Sequence, residues 1–441
     1  MPAAVHSAAG PAVQGVGVGL LGLGVVGSGV ATALLQKGAS IETHVGAPVV
    51  LRRVLVRDAA KPRDAQVPAN LLTTHAADVL EDPAVAVVIE LLGGDEPACS
   101  YIRRALQAGK HVVTANKEVI ARHGPELAAL ASKHHVALRY EASVGGGIPL
   151  IAPFRQSLLA NTISSVRAII NGTTNYILTR MSREGLDLPE ALASAQKLGY
   201  AEPNPTNDVE GIDAGFKLAI LASLAFHTRV APEQVFREGI LNLTARDFRY
   251  AHELGYAIKL LAIARRQGDQ VEVRVHPAFL PQDRLLAKVD GVYNAVEVEG
   301  DLTGQVVFYG RGAGAQPTTS AVVADLIELA RDVTTGAASR QPAAQSLPLL
   351  VMPMDAVRTR YYLRMSVRDE PGVLAHLAGV LGDCQISIAS VVQKEVDEEA
   401  RTAELVLMTH LASEHAMQAA LAALRNLSGV AEIGSVVRVE N

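Results

Sequence analysis

The stretch that most constrains this chain is Gly22-Leu23-Gly24-Val25-Val26-Gly27, which follows an apolar run, Val16–Leu21, and opens a helical pattern over Ser28–Lys37. In a chain with 37 glycines the spacing alone is weak, and the strand before it and the helix after it give it physical meaning. The first glycine allows a tight turn, the second lets a pyrophosphate approach the backbone, and the third lets helix and strand pack closely. The helix N-terminus then offers N–H groups and partial positive charge to phosphates. Gly22, Gly24, Val25, Val26 and Gly27 are therefore candidate dinucleotide-binding residues. Further strands are predicted at Val49–Val56, Ala84–Leu92 and His111–Thr114, with helices at Pro97–Ala108 and Gly124–His134 between them. Such alternation implies a Rossmann-type, doubly wound parallel sheet.

The remaining length sets the organisation. At roughly 150 residues per domain, 441 residues suggest about three. After Pro149 the pattern becomes α+β, with helices predicted at Tyr176–Glu184, Leu188–Leu198 and Asp213–Ala225 and alternating strands around Gln270–His276 and Gly291–Phe308. Pro317-Thr318-Thr319-Ser320 signals a helix start, and a helix is predicted over Ala321–Arg331. A β-α-β-β-α-β succession closes the chain and has the form of a small ferredoxin-like unit. The expected division is a flexible tail over 1–14, a dinucleotide domain over 15–148 with about 315–340, a substrate and dimerisation domain over 149–314, a linker over 341–357 and the small domain over 358–441.

Composition removes several classes of function. Forty basic against 45 acidic side chains leave a net charge of −5, without the basic footprint of a nucleic-acid protein. No apolar run approaches the ~20 residues of a membrane span, and Met1–Gly15 lacks the basic and apolar regions of a secretory signal, so a cytoplasmic protein is expected. Two cysteines, Cys99 and Cys384, exclude a disulfide framework, and the thirteen histidines show no metal-ligand spacing. At the end of the second strand, Arg57 and Lys61 favour NADP, whereas Asp58 permits NAD; a solvated surface cluster is the alternative.

A second constellation lies between Ala195 and Lys217. Pro203 and Pro205 keep Glu202 and Asp208 on a non-helical loop. Asp213 and Lys217, four apart, share one face of the following helix. Unpaired buried charge is costly, so such a cluster is either exposed or functional. Spacing alone leaves a solvated, capped helix start an equal alternative.

This stretch resembles the signature of homoserine dehydrogenases. The resemblance extends to the nucleotide loop, to Glu90-Leu91-Leu92-Gly93-Gly94, to Thr114-Ala115-Asn116-Lys117, to Glu141 through Pro149, to Asn171-Gly172-Thr173-Thr174-Asn175 and to Gly312-Ala313-Gly314, and so spans about residues 16–335. It implies reversible NAD(P)H-dependent reduction of L-aspartate 4-semialdehyde to L-homoserine, on the route to threonine and methionine. It implies Lys217 as general acid/base, Asp213 as the group that orients it or binds the hydroxyl end of the substrate, and Lys117 as a second cation reaching substrate and cofactor. Glu202 would hold the substrate ammonium, with Asp208, Thr173 and Gly172 in the same pocket. Thr114, Lys117 and Gly312 would join the glycine loop in binding the cofactor. Glu141 and the carbonyls of Val144, Gly146 and Ile148 would hold a monovalent cation, Na⁺; an ordinary glycine-rich crossover is the alternative.

The last 84 or so residues resemble an ACT domain, on Asp369-Glu370-Pro371-Gly372-Val373-Leu374 and Ile386-Ser387-Ile388. This implies feedback by L-threonine and edge-to-edge pairing in a homodimer or homotetramer, or a purely dimerising domain. Competing expectations for the whole chain are a catalytically silent sensor and another semialdehyde dehydrogenase of the same layout.

Overall fold

The computed structural model describes residues 15–61, 67–336, 347–397 and 399–440. The expected tail over 1–14 and the first part of the linker, 341–346, lie outside the described residues. The chain divides into two compact units, Met1–Ile151 with Ala313–Gln345, and Ala152–Gly312 with Ser346–Asn441.

The first unit carries, among the described residues, six parallel strands: β1 (Val16–Leu21), β2 (Val49–Leu55), β3 (Leu72–Thr73), β4 (Val87–Glu90), β5 (His111–Thr114) and β6 (Leu138–Arg139). Their order is β3-β2-β1-β4-β5-β6, the doubly wound arrangement. Every residue of β1 is buried, as expected for a parallel strand covered on both faces. The order reverses between β1 and β4, so the carboxyl ends of both strands open on the crevice where such sheets bind ligands.

Two helices of this unit outrun their sequence signals. The one predicted from Gly124 starts at Lys117 and runs to Lys133, carrying Pro125 inside it. Its start is fixed by Asn116, whose side chain accepts the Val119 N–H at 3.2 Å. The helix predicted from Ala321 starts at Ala315 and ends at Thr335, with Pro317 in its first turn, where no N–H is missed.

The second unit is organised on a mixed sheet. Its longer strands are β7 (Ile163–Ile169), β9 (Tyr256–Gln267), β10 (Gln270–Pro281), β11 (Tyr293–Gly300), β12 (Gly304–Arg311), β14 (Arg358–Arg368), β15 (Ile388–Asp397), β16 (Thr402–Thr409) and β18 (Val430–Val439); β8 (Phe236–Arg237), β13 (Leu350–Val351) and β17 (Ala412–Ser413) are short side pairings. The order is β12-β11-β7-β9-β10-β18-β14-β16-β15. Strand β9 escaped prediction because Ile258–Ala264 is buried without alternation, and periodicity cannot separate such a run from a buried helix.

The C-terminal segment has the expected β-α-β-β-α-β succession, with helices Val373–Asp383 and Glu414–Arg425, and its own core around Leu363, Met365, Leu377, Leu405 and Leu421. Its sheet is nonetheless continuous with that of the middle region, because β18 pairs with β10 at Ala278–Arg438 and Phe279–Val439.

Buried ion pairs line this junction. Arg274 donates to Glu272 at 2.6 Å and to Glu440 at 2.5 Å. Arg438 bridges Glu414 and Glu238, both at 2.6 Å. Arg364 donates to Asp247 at 2.8 Å and to Glu404 at 3.1 Å, and Ser435 donates to Asp247 at 2.5 Å.

Burial alone would raise the Asp247 carboxyl, but hydrogen bonds from Arg364 and Ser435 outweigh it and hold it below the usual carboxylate value. Glu414 and Glu440 are lowered in the same way, burial opposed by Arg438 and by Arg274. Folded values below unfolded ones mean that this stability is present above about pH 4 and drains as pH falls through the folded values. Arg364→Met, which strands a buried Asp247, should cost about 3–5 kcal/mol and shift the acid-unfolding midpoint upward, read by urea and pH titration of circular dichroism. An unchanged midpoint would show that the network is not a stabilising junction.

Candidate active site

The sharpest cluster of chemistry lies at the N-terminus of the helix Ile212–Ala225. Both Asp213 and Lys217 are buried. Lys217 Nζ donates to Asp213 Oδ2 at 2.7 Å and to the Ile170 carbonyl, just past the end of β7, at 2.8 Å. A buried ammonium needs such partners, since its desolvation otherwise costs several kcal/mol.

Asn171 joins the next elements to this pair. Its side-chain Nδ2 donates to Asp208 Oδ1 at 2.6 Å and to Asp213 Oδ2 at 2.9 Å. Its Oδ1 accepts the Thr174 N–H at 2.8 Å, capping the helix Gly172–Glu184. The structure thus brings Lys217, Asp213 and Asp208 together through Asn171.

Around this cluster, Gly172 is the first residue of the capped helix, and a Cβ there would lie 2.9 Å from the Val292 carbonyl oxygen. Thr173 Oγ1 donates to the Tyr200 carbonyl at 2.7 Å. Glu202 is exposed on the proline loop, whose backbone is held by Gln196 Nε2 donating to the Glu202 carbonyl at 3.1 Å. Gly312 packs its backbone against the buried Asn294 side chain, where a Cβ would fall 2.2 Å from Asn294 Cγ.

The glycine loop of the first unit separates into two kinds of position. Gly22 has φ +100°, and a Cβ on it would lie 2.8 Å from the Leu91 carbonyl oxygen. A Cβ on Gly27 would lie 2.2 Å from the Gly22 carbonyl oxygen, so the helix Val25–Gln36 packs on the turn itself. A Cβ on Gly24 would meet nothing within 4 Å. That helix has no side-chain cap and no acidic residue in its first turn, and Gly24 and Val25 are exposed, with Val26 partly so. An open backbone beneath an uncapped helix start fits a pyrophosphate.

Nearby, Arg57 and Lys61 are exposed after β2, and Asp58 Oδ1 accepts the Ala60 N–H of its own loop at 2.8 Å. Thr114 is buried; its hydroxyl donates to Glu90 Oε2 at 2.6 Å and accepts the Asn116 N–H at 2.9 Å. Burial raises the Glu90 carboxyl above its ordinary value, against hydrogen bonds from Thr114 and Leu92. Lys117 is half-buried at the first turn of its helix.

Family models match this chain in succession. The homoserine dehydrogenase NAD-binding domain covers residues 22–141, homoserine dehydrogenase covers 149–327 and the ACT domain 361–429. The homoserine dehydrogenase of Synechocystis is 47% identical over 89% of this chain and 92% of its own. That of Neisseria gonorrhoeae is 42% identical over 97% and 99%. The crystal structure of a homoserine dehydrogenase from Thiobacillus denitrificans superposes with a TM-score of 0.90 at 44% identity, covering 97% of this chain and 98% of that one. A hyperthermophilic archaeal homoserine dehydrogenase in complex with NADPH has a TM-score of 0.61 at 27% identity, covering 71% and 97%.

The chain belongs to the homoserine dehydrogenase family. It is an NAD(P)-dependent oxidoreductase acting on a CH–OH group, built from a Rossmann-type domain, a mixed-sheet domain and an ACT domain. Among the described residues no helix is long and apolar enough to cross a membrane.

Within this homoserine dehydrogenase fold, the residues expected to hold a cation lie in the first unit. Glu141 is buried, and its Oε1 accepts the N–H groups of Leu150 at 2.5 Å and Ile151 at 2.9 Å. Val144, Gly146 and Ile148 are buried, and Gly145 and Gly146 have φ +75° and +53°. Asn171 was absent from the expected site residues although it links three of them. Its signal is its place at the head of Asn171-Gly172-Thr173-Thr174-Asn175, directly before a helix that starts four residues earlier than the sequence predicts.

Gly24→Ala should leave the unfolding temperature unchanged and raise the Kd for NADPH about tenfold, the effect of roughly 1.4 kcal/mol. Gly27→Ala should instead cost about 1–3 kcal/mol of stability through the enforced clash. Fluorescence titration and thermal unfolding of both variants separate the two roles; equal behaviour of the pair would refute the distinction.

Proposed function

We propose that the chain interconverts L-aspartate 4-semialdehyde and L-homoserine with Lys217 as the group that moves the proton. The observation that carries this is the buried Lys217 amine fixed between Asp213 Oδ2 and the Ile170 carbonyl. An amine so positioned can deliver a proton to an aldehyde oxygen and recover it from the alcohol in the reverse direction. When bound, the nicotinamide cofactor supplies the hydride chemistry. Asp213 orients Lys217, and Asn171 in turn fixes Asp213 and Asp208. Glu202, exposed on its loop, is assigned to the substrate ammonium, and Thr173 and Gly172 are assigned to the same pocket. Lys117 is assigned as the second cation, reaching substrate and cofactor.

The cofactor is held by Gly22, Gly24, Val25, Val26, Gly27, Thr114, Lys117 and Gly312, with Thr114 acting through Glu90 and Asn116. NADP is favoured: Arg57 and Lys61 are exposed after β2, while Asp58 Oδ1 is engaged by its own loop. Na⁺ is assigned to the carbonyls of Val144, Gly146 and Ile148 beside Glu141, where consecutive positive-φ glycines redirect the backbone and hard cations take oxygen ligands.

L-Threonine is assigned to the ACT domain. Gly372, at φ +91°, opens the helix Val373–Asp383 without a side-chain cap, leaving a terminus suited to a carboxylate. A homodimer or homotetramer in the cytoplasm is the assembly proposed, paired through ACT strand edges.

Initial rates of homoserine oxidation with NADP⁺ and with NAD⁺, each with and without threonine, test these assignments on the intact chain. Deleting the ACT segment is unsuitable, because it would strand Asp247 and Arg274. Homoserine should be oxidised faster with NADP⁺, malate should not be oxidised, and Lys217→Ala should lose at least ~100-fold in turnover. Turnover of that variant within a few-fold of the parent would remove Lys217 from the role.

A further inference from the structure

We propose that Asp95, Cys99 and His123 form a binding site for a thiophilic divalent cation such as Zn²⁺, on the first unit and apart from the residues assigned above. One potential ligand atom of each lies within 4.8 Å of the other two. Cys99 is buried while Asp95 and His123 are half-buried, so the thiol stands at the back of a site open on its carboxylate and imidazole side.

The frame is rigid. Cys99 N–H donates to the Asp95 carbonyl at 2.9 Å, placing the two residues one turn apart at the start of the helix Ala98–Gln107. His123 comes from the helix Lys117–Lys133, and its Nε2 lies 3.0 Å from Asp95 Oδ1. Asn116, at the start of that helix, donates to the Gly94 carbonyl at 2.7 Å and holds the loop that carries Asp95.

A thiolate, an imidazole and a carboxylate are all donors that Zn²⁺ takes in tetrahedral sites, with water in the fourth position. Two anionic ligands neutralise the divalent charge. Of the other charges facing the thiol, Arg103 is occupied by Glu126 at 2.9 Å, and Glu96 adds negative charge. Binding displaces the thiol proton. A His–Asp ion pair beside an inert buried thiol is the competing account, and it would bind no metal.

The test uses the full chain, stripped with a chelator and titrated with Zn²⁺ against a chromophoric competitor, then with Co²⁺ in the spectrophotometer. One equivalent should bind, Cys99→Ser and His123→Gln should each weaken it by at least ~10-fold, and Co²⁺ should give a near-ultraviolet thiolate charge-transfer band that Cys99→Ser abolishes. Unfolding temperature and homoserine oxidation of the metal-free variants report whether they remain folded. Absence of the bound equivalent, equal binding by folded variants, or a Co²⁺ spectrum lacking the thiolate band would each overturn the site.

Discussion

A buried lysine ammonium is tolerable only where acceptors replace the water it has lost, and the second unit is arranged to meet that demand for Lys217. One acceptor is a side chain on its own helix, Asp213, and the other is the Ile170 carbonyl at the end of β7. Asp213 in turn shares the amide of Asn171 with Asp208. Four elements are thereby fixed by one chain of hydrogen bonds: the end of β7, the helix Gly172–Glu184 that Asn171 caps, the short helix Thr206–Val209 that carries Asp208, and the helix of Lys217. The same bonds that replace the lost water also hold the amine still, as the proton transfer proposed for it would require.

Strand β10 connects this cluster with the C-terminal domain. The Glu238 N–H donates to the Val275 carbonyl of β10 at 2.8 Å, and the Ile240 N–H donates to the Val209 carbonyl, next to Asp208, at 2.8 Å. From the other side, Arg438 of β18 reaches Glu238. The contacts are thus contiguous from β18 through Glu238 to the segment that seats the Asp208 helix.

The local signals in the sequence were legible wherever they coincided with the fold's own demands. β1 and β5 were readable to the residue, because an apolar run flanked by turn residues has one reading in an α/β pattern. Asp213 and Lys217 were readable as a pair because helical periodicity puts residues four apart on one face. Illegible features depended on tertiary context. Gly124-Pro125 looked like a helix boundary but lies within a helix that Asn116 starts upstream. Buried Arg274, Glu272 and His276 interrupt the apolar pattern of β10; Arg274 joins the other two to each other and to Glu440, just past β18. Asn171 needed the folded positions of two carboxylates before its second function could be seen, and His123 needed a helix crossing to meet Cys99.

The glycine loop shows how a folded chain separates structural from functional need. Gly22 and Gly27 are demanded by the protein itself, through a positive φ and through a carbonyl that leaves no room for a Cβ. At Gly24, among the described residues, a Cβ would meet nothing within 4 Å. Glycine exacts conformational entropy on folding, about 0.5–1 kcal/mol against alanine in regular structure, so a glycine with no steric reason is a standing cost. Under the function proposed above, the reason is a ligand that comes against that backbone, and the uncapped helix start suits a negative charge on it. Thr114 is the opposite case: its hydroxyl donates to Glu90 and accepts from Asn116, and so shapes the end of β5.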